Sequence, residues 1–197
     1  GEQASRLWHP EVHKLTFDLR TAPGGPLRAT GSWRGRPSDA PSLARRLDQT
    51  HGRSELAPVF TQEWVRDRLT RSPSDYTWND LVLLGDAAVG VWDPGLELTI
   101  DRGDDIEVRR QAFVLDWGNE GSNDDLLGAL AVAMDGLQVS GATHLSLFAS
   151  PALPTYELLA DLAAEIDRYR FFCRIPEPPD AAKQGIHVDP LWRNQTS

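Results

Sequence analysis

The sequence predicts a mixed α/β domain, a central sheet with helices packed against it, and three stretches carry that reading. Residues 105 to 118 set Ile106, Val108, Phe113 and Leu115 among charged neighbours in a β-rich run. Leu126, Leu130, Met134 and Leu137 then recur at helical spacing. A second short apolar run, His144 to Ser150, follows. A hairpin cannot span a helix of that length, so the two strands are expected to lie parallel through a right-handed crossover. Ligands in such units meet the carboxyl end of the strand and the amino end of the helix. Function is therefore sought between Trp117 and Asp125.

The flanking elements fall in order around this unit. Leu15, Phe17 and Leu19 alternate with polar residues as in a half-buried or edge strand, stopped by the Pro/Gly cluster at 21 to 26. Residues 1 to 26 thus read as an N-terminal extension or edge strand, and 27 to 197 as the main domain. Leu27 to Trp33 predicts a short strand. A helix follows, capped by Ser38, striped by Ala40, Leu43, Ala44 and Leu47 and stopped at Gly52. Thr61 caps a second helix carrying Trp64, Val65, Arg68 and Leu69, which ends before Pro73. Residues 80 to 84 and 87 to 92 flank Gly85-Asp86, a hairpin signal. Asp93-Pro94-Gly95 and the stretch from Asp101 to Asp105 are turn formers around Leu96 to Ile100. Ser122 with Asp125 predicts a capping box for the helix from Leu126. Pro154 opens a last helix with Tyr156, Leu159, Ala163 and Ile166 on one face. Residues 170 to 175 and 185 to 189 supply two final strands.

Composition limits the function classes. The 197 residues suit one domain of ordinary size. No apolar run approaches the roughly 20 residues that cross a bilayer, and residues 1 to 30 lack a signal-peptide core. The single cysteine, Cys173, excludes an intrachain disulfide framework and fits a reducing compartment. A cytoplasmic location without membrane contact is expected. Residues 1 to 71 hold 12 Lys+Arg against 8 Asp+Glu, net +4, and the remainder 8 against 21, net −13, together the −9 of the whole chain. So acidic a chain is a poor partner for nucleic acid. Its acidic half suits a small-molecule amine or other cationic substrate, or simply solubility. His9 and His13 have the spacing of a helical metal pair, but Pro10 and the alternation beyond it argue against a helix, so no metal site is expected. The doublets Asp104-Asp105 and Asp124-Asp125 sit on turns, where neighbouring carboxylates seldom converge on one atom.

Three segments resemble the GCN5-related N-acetyltransferase (GNAT) superfamily, over about residues 27 to 192. Residues 34 to 47 (RGRPSDAPSLARRL) look like its first helix and 79 to 92 (NDLVLLGDAAVGVW) like its hairpin. Residues 148 to 159 (FASPALPTYELL) look like the strand and helix that carry its thiolate-facing tyrosine. The resemblance implies a mixed, mostly antiparallel sheet flanked by helices, with acetyl-CoA or another acyl-CoA in a V-shaped gap beside the long central strand. It places the pantetheine along Val114, Leu115 and Trp117, and the diphosphate near Gly118, Gly121, Ser122 and Asn123. It makes Tyr156 the acid that protonates the departing thiolate, with Glu107 or Asp116 relaying a proton from the amine. The family's diphosphate loop, Gln/Arg-x-x-Gly-x-Gly/Ala, is missing here. Asp124 and Asp125 occupy the first helical turn instead, where each stabilises the helix by about 0.3–1 kcal/mol and repels a nearby diphosphate by about 1–4 kcal/mol.

Two readings follow, with an unrelated α/β binding domain as a third. One is an acyl-CoA-dependent N-acyltransferase with a divergent diphosphate loop. The other is a non-catalytic domain of the same fold, the partner half of a dimeric or tandem acetyltransferase with an upstream domain.

Overall fold

The structure, a computed structural model, describes residues 6–8, 11–21, 34–54, 57–71, 75–170 and 173–175. Six strands form one sheet in the order β3-β4-β5-β6-β2-β7: β2 (Glu11–Asp18), β3 (Leu81–Leu84), β4 (Ala87–Asp101), β5 (Ile106–Asn119), β6 (His144–Ala149) and β7 (Glu165–Arg170). A separate two-stranded ribbon joins β1 (Arg6–Trp8) to β8 (Cys173–Ile175). All neighbours in the main sheet run antiparallel except β5 and β6, which pair in parallel through Gln111–His144, Ala112–Leu145 and Phe113–Ser146. The crossover between them is α3 (Asn123–Val139).

Helix α3 lays Leu126, Ala129, Leu130, Ala133 and Leu137 on one face of the sheet, against Leu15, Phe17, Val89, Val114, Leu145 and Leu147. The short α4 (Tyr156–Ala160) adds Tyr156 and Leu159 to the same core. On the other face α1 (Ala40–His51) and α2 (Gln62–Thr70) enclose Leu43, Leu47, Val65, Leu69, Tyr76 and Leu115. Thr61 caps α2, its hydroxyl accepting from the Trp64 N–H.

Several sequence expectations need correction. The strand with Leu15, Phe17 and Leu19 is no edge: β2 lies between β6 and β7, paired to both. Its polar alternates Thr16 and Lys14 are covered because Thr16 meets Ser146 of β6 and Lys14 pairs with Asp167 of β7. Ser38 does not cap α1, because Pro37–Asp39 forms a 3-10 turn and the Asp39 carboxylate accepts from the Arg36 N–H. Asp93-Pro94-Gly95 does not separate two strands. It bulges within the continuous β4, between the pairs Trp92–Phe113 and Leu96–Gln111. The last helix is one turn long, and Ile166 belongs to β7. The capping box at Ser122 does not close either. Ser122 caps the Asp124 N–H, while the Asp125 carboxylate accepts from the Asp86 N–H in the β3–β4 turn. The strands expected at 27–33 and 185–189 lie outside the described residues.

Gly90 shows how tightly the two layers meet. The fully buried Tyr76 passes its hydroxyl over Gly90, where a Cβ would collide with that oxygen. Gly90→Ala is expected to cost about 1–3 kcal/mol, read from the urea midpoint at unchanged slope.

Candidate functional site

The gap arises where β5 and β6 stop pairing. Beyond Phe113–Ser146, β6 continues, among the described residues, with β2 alone, through Leu147–Leu15, Phe148–Lys14 and Ala149–His13. On β5 the register with β4 slips at the same level. Val114 faces Val91 and Asp116 faces Gly90, which leaves Leu115 as the extra residue of a bulge. A bulge sharpens the local twist and turns two successive side chains to one side. Here Leu115 packs among the α1–α2 residues and Asp116 meets Arg68 of α2.

Asp116 is buried, and the Arg68 Nε–H donates to its Oδ2 at 2.9 Å. The Arg68 guanidinium also stacks over Trp64 and Tyr76, 5.2 and 5.9 Å from their ring centres. Burial, reinforced by Asp116, holds the Tyr76 hydroxyl well above the usual tyrosine range. Asp116 therefore stands at the gap on the α1–α2 side, held by a cation.

Across the sheet, on the α3–α4 side, the Tyr156 hydroxyl lies 2.5 Å from Nδ1 of His13, and His13 Nε2 lies 2.9 Å from the Glu11 carboxylate. His13 shares its face of β2 with Leu15 and Phe17 and is 6% exposed; Tyr156 is 7% exposed. The His13 hydrogen bond lowers the Glu11 pKa, and burial raises that of Tyr156. An ionised carboxylate only accepts, so the neutral tautomer that satisfies both bonds carries its proton on Nε2 and takes the phenol's at Nδ1. This chain of three was not read from the sequence, where His13 was weighed only as half of a helical metal pair. Its signal was there: Glu11 and His13 are two apart on a strand whose next inward positions are apolar.

Glu107 is not part of this region. It lies nine residues before Asp116 on β5, about 30 Å along an extended strand. There it accepts from Arg109 at 2.7 Å and Arg20 at 3.1 Å, bonds that lower its pKa. Arg109 also bonds Glu165 of β7, with two strands between them in the sheet order. Asp18 and Arg20 complete the cluster. Its His144 is buried, and that burial, with Arg109 nearby, pushes the imidazole pKa down. The cluster ties sheet strands together.

The residues read as a coenzyme cradle are largely engaged with the protein itself. Among Val114, Leu115, Trp117, Gly118, Gly121, Ser122 and Asn123, the Trp117 carbonyl accepts from His51 Nε2 at 2.7 Å. Beside it the Asn119 N–H donates to Thr50 Oγ1 at 2.9 Å. Gly118 presses on the backbone of Arg46 and Leu47, where a Cβ would not fit. The Gly121 N–H donates to its neighbour Asn119, and the Asn119 amide donates in turn to the Gly121 and Ser122 carbonyls. Ser122 takes the Asp124 N–H through its hydroxyl and the Asp125 N–H through its carbonyl. The Gly121, Asp124 and Asp125 N–H groups are thus already bonded within the loop, which fits a diphosphate poorly.

A cleft of about 590 Å³ lies elsewhere, between α3 and the β3–β4 hairpin, lined by Val82, Val91, Val132, Ala133, Gly136 and Leu137. Among the described residues no three His, Cys, Asp or Glu side chains converge to hold a metal ion, and no helix is long and apolar enough to cross a membrane.

No family model matches the chain, and no curated protein matches it in sequence. Among solved structures it is similar to a GCN5-related N-acetyltransferase from Kribbella flavida, at 15% identity and a TM-score of 0.42 over 84% of this chain and 38% of that one. It is also similar to the Saccharomyces cerevisiae N-myristoyltransferase solved with bound myristoyl-CoA and inhibitors, at 11% identity and a TM-score of 0.47 over 96% of this chain and 57% of that one. The chain spans less than two thirds of either. The mixed, mostly antiparallel sheet flanked by helices is the architecture expected from the sequence, and the parallel pair joined through α3 is the crossover expected from the length of that helix.

Two outcomes test the electrostatics. Arg68→Ala leaves a buried carboxylate uncompensated and is expected to cost about 3–5 kcal/mol, whereas the apolar pair Arg68→Met with Asp116→Leu recovers most of it, both by urea unfolding. Asp18 and Glu165 titrate at about 2 in the folded chain, Asp18 through its hydrogen bonds from Arg20 and Glu165 through those from Arg109. Depressed folded pKa values stabilise above the unfolded ones, 3.8 and 4.5. That stability is lost as pH falls through the folded pKa. The thermal midpoint should drop between pH 4.5 and 2, and less so in Arg109→Gln.

Proposed function

We propose that this domain transfers an acyl group from a thioester, of the acyl-CoA kind, to a small amine. The parting of β5 from β6 at the Leu115 bulge carries the reading: it opens the sheet beside a long central strand, with Tyr156 and Asp116 on its two faces. The acidic character of residues 72 to 197 suits a cationic acceptor. Coenzyme affinity in this reading comes from the acyl and pantetheine parts. The diphosphate meets an inward-turned loop and the exposed carboxylate of Asp124.

The alternative that this proposal has to exclude is a non-catalytic partner half of a larger acetyltransferase. Titration calorimetry separates the two. Under the first, acetyl-pantetheine binds within about 3-fold of acetyl-CoA, and Asp124→Ala tightens only the latter, by about 5-fold for the roughly 1 kcal/mol of an exposed charge contact. Heat from neither ligand at millimolar concentration would leave the second reading standing.

A further inference from the structure

Glu11, His13 and Tyr156 come from β2 and α4, 143 residues apart in sequence between imidazole and phenol, and form one hydrogen-bonded line at the end of the sheet where β5 and β6 part. We infer that this line is a two-way proton shuttle for acyl transfer, in which Tyr156 is both the base that takes the amine's proton and the acid that returns it to the leaving sulfur. The inference rests on the acyl-transfer reading above.

The direction of the hydrogen bonds decides the roles. Glu11 fixes the proton of neutral His13 on Nε2, so Nδ1 presents a lone pair to the phenol. At rest the Tyr156 proton points at the imidazole and the oxygen keeps a lone pair for an incoming proton. A tyrosine serving only as an acid would need its proton aimed at the sulfur, and here it is committed to His13. The order carboxylate, imidazole, hydroxyl is the logic by which a weakly basic hydroxyl is activated.

The step balances without another reactant. The amine nitrogen bonds to the acyl carbon and gives its proton to the phenolic oxygen, which passes its own to His13 Nδ1. The imidazolium that forms is held by Glu11. As the carbon–sulfur bond breaks, the proton runs back from Nδ1 through the phenol to the sulfur, leaving an amide and a thiol. Burial supports the scheme, since the raised pKa of Tyr156 keeps it a hydroxyl rather than a phenolate. The other charges facing the line are Arg168 and Arg170, opposite His13 and Glu11 on β7, and Glu157 beside Tyr156 on α4. Neither arginine interrupts the line.

Kinetics of the full chain with acetyl-CoA and a panel of small amines test the shuttle. His13→Gln and Tyr156→Phe should each lower kcat by about 100-fold or more with KM for the thioester unchanged, and the double variant should be no slower than the slower single one. The pH profile of kcat should differ between the wild type and His13→Gln. Glu11→Asp should retain more activity than Glu11→Gln. In parallel, NMR of the imidazole nitrogens should find the proton on Nε2 and a titration that Tyr156→Phe displaces. Turnover with multiplicative losses, or with an unchanged pH profile in His13→Gln, would overturn the shuttle alone. No turnover of any acyl thioester, with the NMR coupling intact, would overturn the acyl-transfer reading and the shuttle's role with it.

Discussion

Three parallel residue pairs hold this molecule in its shape. Gln111–His144, Ala112–Leu145 and Phe113–Ser146 join the two halves of the sheet, the hairpin side β3-β4-β5 and the side β6-β2-β7. Polar side chains brace the junction: Gln111 donates to the Ser146 hydroxyl, which meets Thr16 on β2, all buried. So short a seam lets the two halves diverge beyond it. The bulge at Leu115 sets where divergence begins, since the added twist carries β5 away from β6 while its bonds to β4 continue.

The chemistry follows from that divergence. At the open end one face of the sheet holds Asp116 against Arg68, and the other holds His13 between Glu11 and Tyr156. Asp116, His13 and Tyr156 are buried and need partners there, because an unpaired charge or donor in such surroundings costs several kcal/mol, while Glu11 at the outer end of its line is partly exposed. They differ in what they can do. The Asp116 carboxylate is paired with a group that does not release protons, whereas every member of the other line can gain or lose one.

The loop between β5 and α3 is held differently. Asn119 takes the Gly121 N–H, Ser122 takes those of Asp124 and Asp125, Asp125 takes that of Asp86 in the hairpin turn, and His51 and Thr50 bond the adjoining strand backbone. Backbone N–H groups buried in a compact domain find acceptors. A loop that supplies acceptors from its own side chains has fewer donors left for an anion.

Local pattern in the sequence was enough for most elements. The period of Leu126, Leu130 and Leu137 marked α3, Thr61 marked the start of α2, and Gly85-Asp86 marked the hairpin turn, because capping, turn chemistry and amphipathic spacing act over a few residues. The parallel crossover was legible too, since a long helix between strands leaves few alternatives. Other features were not local. Alternation in β2 could not say that both its edges are paired, since that depends on strands 130 and 150 residues later. Asp93-Pro94-Gly95 has the composition of a turn, yet long-range pairing with β5 makes it a bulge. Glu107 and Asp116 looked equivalent on one strand, and only the place where β6 leaves β5 separates their surroundings. The Glu11–His13–Tyr156 line is the clearest case: two of its members share a strand face in sequence, but the third reaches them only because the sheet brings the end of β6 against the start of β2.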